Sequence, residues 1–143
     1  MKDKAPFKIL LADDDADDRF LFEKALKEIP IATHLTTVSN GEELMDYLFE
    51  NSMNLPEVLF LDISMPRKTG YECLIEIKEN KKMEAIPIIV FTTTIPINIG
   101  AEGELSNTLV KFGAQDYVRK PIDFDQLKHA IHQALIRVIK KVA

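Results

Sequence analysis

Cysteine is almost missing from this chain of 143 residues: Cys73 stands alone, so no intramolecular disulfide can form and nothing indicates an oxidising compartment. Long hydrophobic runs are missing too, and the longest falls far short of the roughly 20 apolar residues that span a membrane. The charged N-terminus, Met1 to Lys8, lacks the apolar core of an export signal. A cytoplasmic protein without membrane insertion is expected. A basic excess is absent as well. With 23 acidic against 18 basic residues the formal charge is −5, which argues against direct binding to nucleic acid. No repeat, low-complexity tract or Pro/Gly-rich linker divides the chain. One domain over residues 1–143 is expected, with its core at about 7–135 and an extended C-terminal helix, and with no output domain after it.

What is present is an alternation. Phe7 to Ala12, Glu57 to Asp62, Pro87 to Thr92 and Gln115 to Arg119 are short runs rich in apolar and β-branched residues, the pattern of buried strands. Ala32 to Val38 is patchier and belongs nearer an edge. Between the strands, Phe22, Ala25, Leu26 and Ile29, and then Leu44, Met45, Leu48 and Phe49, recur at helical spacing. Ser39 with Glu42, Thr69 with Glu72, and Asp123 with Gln126 carry the capping-box interval. Leu127, Ile131, Leu135 and Val138 form the core stripe of the last helix, beside a second row of Ile136, Ile139 and Val142. Five strands alternating with five helices imply right-handed βαβ units and a doubly wound α/β domain with a parallel sheet.

In such a sheet the functional crevice lies where the strands end. Asp13-Asp14-Asp15 ends the first strand, Asp62 the third, Thr92-Thr93-Thr94 the fourth and Lys120-Pro121 the fifth. Core packing alone does not predict convergent carboxylates with one lysine. Asp13, Asp14 and Asp62 in one crevice repel unless a cation shares the site, and Mg2+ suits a few carboxylates, carbonyls and waters better than calcium does. Asp17 and Asp18 are assigned only to capping the first helix. Asp62 has the chemistry of a nucleophile that accepts a phosphoryl group, with Lys120 as the neutralising cation and the Thr92 hydroxyl as a donor to phosphoryl oxygens.

The elements ILLADDD, LFLDISMP followed by TG, IIVFTT and DYVRKP stand in an order that resembles the response-regulator receiver (CheY-like) family across essentially the whole chain. The resemblance implies a (βα)5 flavodoxin-like fold with sheet order 2-1-3-4-5. It implies a two-component phosphoacceptor rather than an enzyme, apart from limited self-phosphorylation from small donors and self-dephosphorylation. Asp62 would receive the phosphoryl group from a sensor histidine kinase or a phosphotransfer protein. Asp14, Asp62 and the backbone carbonyl of Ser64 would bind Mg2+ directly, with Asp13 acting through water. Thr92 and Tyr117 match the family's switch pair, and Lys120 its lysine. The readout face, for a downstream protein target, would be the fourth helix, fifth strand and fifth helix.

Two departures stand out. Thr92 to Gly113 is longer than usual and carries Ile95, Ile97 and Ile99, so the loop Thr94 to Glu104 and the helix after it are expected to be remodelled. Thr93 replaces a smaller residue and is expected to hinder the hydrolytic water and slow dephosphorylation. The row Ile136, Ile139 and Val142 suggests a homodimer or partner surface, or a face against the longer loop. A phosphohydrolase of the haloacid-dehalogenase type needs a second Asp two positions after the nucleophile, where this chain has Ser64. The remaining alternative is a receiver-fold interaction module that works without phosphorylation. It predicts loss of an acidic-site residue or the lysine, and none is lost.

Overall fold

The computed structural model describes residues 5–93 and 113–142. Among the described residues nine elements follow one another: β1 (Phe7–Ala12), α1 (Ala16–Lys27), β2 (Thr33–Val38), α2 (Gly41–Glu50), β3 (Val58–Leu61), α3 (Gly70–Glu79), β4 (Ile88–Thr92), β5 (Asp116–Arg119) and α4 (Phe124–Val142). The strands form one parallel sheet in the order β2-β1-β3-β4-β5. The doubly wound order 2-1-3-4-5 expected from the sequence is therefore the order observed. The expected helix between β4 and β5, the loop Thr94 to Glu104 and the residues Ile95, Ile97 and Ile99 lie outside the described residues.

Residues alternate between the two faces of a strand, and this chain fills both faces with apolar side chains. Leu10, Leu59, Leu61, Ile88 and Val90 pack with Leu44, Leu48, Leu74 and Ile77 of α2 and α3. On the other face Ile9, Leu11, Phe60, Ile89 and Phe91 meet Phe22 and Leu26 of α1 and Leu127, Ile131, Leu135 and Val138 of α4. There Phe22, Phe60 and Phe91 form an edge-to-face triangle with centroids 5.0 to 5.9 Å apart. Ile9–Ala12 of β1, all of β3 and Ile88–Phe91 of β4 are unbroken apolar runs because both faces of these strands are covered. β2 and β5 are the sheet's edges, and their residues are mostly half-buried or exposed.

Local capping explains where the helices begin. Asp15 accepts from the backbone N–H of Asp17 and Asp18 at the start of α1. Thr69 and Glu72 form the reciprocal capping box expected for α3. Gln126 N donates to Asp123 Oδ2 at 3.0 Å, starting α4. At α2 the register differs by one residue from the sequence expectation. Asn40, with an extended backbone, is the N-cap and accepts from Glu43 N, while the Glu43 carboxylate reaches back to the amide and hydroxyl of Ser39. Asn serves as well as Ser at an N-cap, so the Ser39–Glu42 interval gave no unique answer.

The loop after β3 is pressed against two helix starts. A Cβ on Gly70 would stand 2.2 Å from the carbonyl oxygen of Asp62, and one on Gly41 would stand 2.0 Å from that of Lys68. Both contacts are with backbone, which cannot swing aside. Arg67 in the same loop has φ 68°, and its guanidinium is tied to Glu42 at 3.1 Å. The glycine contact is therefore a structural requirement of the segment that carries Asp62. Gly70→Ala is expected to lower the free energy of unfolding by about 1–3 kcal/mol, as overpacking does. Urea denaturation measures it, and an unchanged midpoint would show that the loop yields freely.

Candidate functional site

Each polar residue of the site is placed by the ladder of hydrogen bonds between neighbouring strands. Asp13 N donates to Val38 O at 3.1 Å, Asp62 N to Ala12 O at 3.0 Å, and Lys120 N to Thr92 O at 3.0 Å. Ala12 is level with Leu61, and Thr92 with Arg119, so the chain leaves four strands on one rim. Among the described residues, the buried polar or charged residues are Asp13, Asp62, Thr92 and Lys120, at 1%, 6%, 0% and 8% exposure. All four lie at this rim.

The side chains meet there. Thr92 Oγ1 and the Ser64 backbone N–H both donate to Asp62 Oδ1, each at 3.0 Å. Lys120 Nζ stands 2.5 Å from Asp13 Oδ2, 3.0 Å from Asp18 Oδ2 and 3.5 Å from Asp62 Oδ2. Asp13 Oδ1 accepts from the Asp15 amide at 3.0 Å, and its carbonyl accepts from Arg19 at 2.7 Å. Asp14 and Ser64 are exposed, yet carboxylate oxygens of Asp13, Asp14 and Asp62 lie within 4.8 Å of one another. Thr93 is exposed and lines a cavity of about 390 Å³ with Asp13, Asp18, Leu21 and Lys120. Tyr117 is half-buried on β5, level with Val90 and packed against the core under α2 and α3.

The electrostatics show a site short of positive charge. Burial pushes the Asp13 carboxyl above its ordinary value, and the bonds from Lys120 and the Asp15 amide recover only part of that shift. Burial alone would lower Lys120, but its bond to Asp13 and the charges of Asp13 and Asp62 outweigh this and raise it. The ammonium therefore stays charged. Among the described residues, Lys120 is the one cation bonded to the side chains of Asp13, Asp18 and Asp62, with Asp14 alongside. A hard divalent cation fits this donor set, since it needs anionic oxygens that are close together and otherwise repel.

Asp18 and Arg19 are what the sequence reasoning missed. Asp17 is exposed and keeps the capping role expected of it, with its amide bound to Asp15. Asp18 does more than cap, because its carboxylate reaches Lys120, 102 positions along the chain. The available signal was distance along the backbone. Only Asp15 separates Asp14 from α1, so the first turn of that helix rises directly beside the crevice. Cys73 is fully buried, and burial pushes its thiol up to about 11, in keeping with a core role.

Comparison with known proteins agrees with this geometry. The sequence model described as the response regulator receiver domain matches residues 9–132. The probable transcriptional regulator Ycf27 of Guillardia theta is 34% identical over 93% of this chain. The chain spans 47% of that relative's length, and 81% and 15% of two other curated relatives. Among solved structures, the phosphorylated cyanobacterial phytochrome response regulator RcpA is similar with TM-score 0.78 and 28% identity, over 91% of each chain. The Mn2+-bound form of the response regulator Rcp1 is similar with TM-score 0.76 and 26% identity, over 90% of this chain and 91% of that one.

Crowded carboxylates make a direct prediction. Asp14→Asn removes one repelling charge without touching the Lys120 contacts, so without divalent ions the variant is expected to melt a few degrees above the parent protein. Added magnesium should raise the melting temperature of the parent and have little effect on the variant. Thermal unfolding followed by circular dichroism reads both. Equal magnesium stabilisation of the two proteins would remove Asp14 from the cation site.

Proposed function

Because the chain belongs to the response regulator receiver domain family, we propose that it is a Mg2+-dependent phosphoacceptor of two-component signalling, with Asp62 as the residue that takes the phosphoryl group. The donor is the phosphohistidine of a sensor histidine kinase or of a phosphotransfer protein. The observation that carries this reading is the convergence of the four buried polar residues at one rim. A folding core gains nothing from a buried Asp–Lys–Asp cluster that an apolar set would not supply.

In the proposed transfer a carboxylate oxygen of Asp62 attacks phosphorus as the phosphorus–nitrogen bond of the donor breaks, and the electron pair leaves with the imidazole. Lys120 supplies positive charge where the phosphoryl oxygens gather. Thr92 gives up its bond to Asp62 Oδ1 and donates to a phosphoryl oxygen. Asp14, Asp62 and the Ser64 carbonyl would hold Mg2+, which neutralises phosphoryl oxygens when bound. Asp13 fits the water-mediated role, because its Oδ1 and Oδ2 are already engaged by the Asp15 amide and Lys120. Thr93 stands on the rim, where its bulk would hinder the water that hydrolyses the adduct.

The output is a switch in a protein-interaction face. As Thr92 moves toward the phosphate, Tyr117 on the neighbouring strand turns inward, changing the surface of β5 and α4. The helix expected before β5 completes that face in the proposal and lies outside the described residues. Ile136 and Ile139 are half-buried on α4 and make this helix the place for a downstream protein or a second copy of the chain; the side chain of Val142 is outside the described residues. A phosphorylation-independent module is not favoured, since no acidic residue of the crevice and no lysine is lost. Among the described residues no helix is long and apolar enough to cross a membrane.

Incubation with acetyl phosphate, followed by intact-mass measurement, tests the proposal. One phosphate adduct is expected, dependent on magnesium and absent from Asp62→Asn. An adduct that survives Asp62→Asn would move the acceptor elsewhere, and a folded parent protein that forms none from acetyl phosphate or a phosphohistidine donor would remove the function.

A further inference from the structure

Lys120 is surrounded by more carboxylates than the proposed transfer uses. An ammonium has three protons to donate, and oxygens of Asp13, Asp18 and Asp62 stand at 2.5, 3.0 and 3.5 Å. Every donor is engaged. A phosphoryl oxygen arriving at Asp62 therefore gains a bond from Lys120 only when one of these partners gives way.

The three partners differ in what their release costs. Asp62 carries the incoming group and stays in place. The Asp13 side chain is 2% exposed, and taking the ammonium from it would strand a buried carboxylate. The Asp18 side chain is 35% exposed on the first turn of α1, where water and the positive end of the helix can take over its solvation. Asp18 is the partner that leaves.

We infer that Asp18 is a positioning residue that holds the Lys120 ammonium on the α1 side of the crevice in the unmodified protein and is displaced from it by the phosphoryl group on Asp62. The inference rests on the phosphoacceptor reading and adds a control to it. A contact present only in the unmodified state shifts the equilibrium toward that state. Asp18 thus lowers the affinity of the site for a phosphoryl group, which is the opposite of what a merely supporting side chain does. Once displaced, its carboxylate stands unneutralised near the phosphate and acts in the same direction.

The test is calorimetric titration of the whole protein, in saturating magnesium, with beryllofluoride as the phosphoryl mimic. The neutral isostere Asp18→Asn is expected to bind about three- to fivefold more tightly than the parent, the worth of a part-exposed ion pair. Asp17→Asn, which removes the same charge one residue away where no bond to Lys120 exists, is the control and should bind like the parent. Equal or weaker binding by Asp18→Asn overturns the inference and leaves the phosphoacceptor reading standing. An equal gain in Asp17→Asn also overturns it, since long-range charge would then suffice. A parent protein that binds no beryllofluoride and takes no phosphate from acetyl phosphate overturns the phosphoacceptor reading itself, and the inference with it.

Discussion

The site depends on one buried ammonium. Among the described residues, Lys120 is the cation that donates to the carboxylates of both Asp13 and Asp62, and burial would otherwise drive the Asp13 carboxyl toward the neutral form. A buried ion pair of this kind gives little net stability, because desolvation offsets the attraction. It persists where the charges have another use. In the proposed function that use is a crevice kept anionic enough to attract a divalent cation and cationic enough at one point to receive a phosphoryl group.

Much of the fold serves to bring that lysine to those aspartates. Lys120 and Asp13 are 107 positions apart and meet because β5 and β1 end on the same side of a parallel sheet. The apolar runs of β1, β3 and β4 fix the register, since a slip of one residue would turn each inward side chain to the other face. Helices on both faces then hold the strands level. The close approach of Gly70 to the Asp62 carbonyl does the same for the loop that leaves the site, and leaves little space in which that carbonyl could drift.

How much of this was legible in the sequence follows from which signals are local. Strands covered on both faces are continuous apolar runs, so β1, β3 and β4 stood out and their ends located Asp13, Asp62 and Thr92. β2 was patchy for a physical reason, because an edge strand with a half-exposed face needs fewer apolar residues. Capping intervals located α3 correctly and α2 within one residue, the Asn40-for-Ser39 difference being one that side-chain chemistry cannot rank. Asp18 was not legible as a partner of Lys120. An acidic residue in the first turn of a helix is satisfied by the helix itself, and only the three-dimensional path from β1 into α1 turns its carboxylate to a lysine on another strand.

A double-mutant cycle on Asp13 and Lys120, followed by urea unfolding without divalent ions, tests the dependence on the buried ammonium most directly. Lys120→Met alone should cost about 3 kcal/mol or more, because it leaves buried carboxylates without their cation. In an Asp13→Asn background the same substitution should cost much less, giving a coupling free energy well above the few tenths of a kcal/mol expected of independent sites. Equal losses in the two backgrounds would contradict the account and make Lys120 an ordinary packing residue.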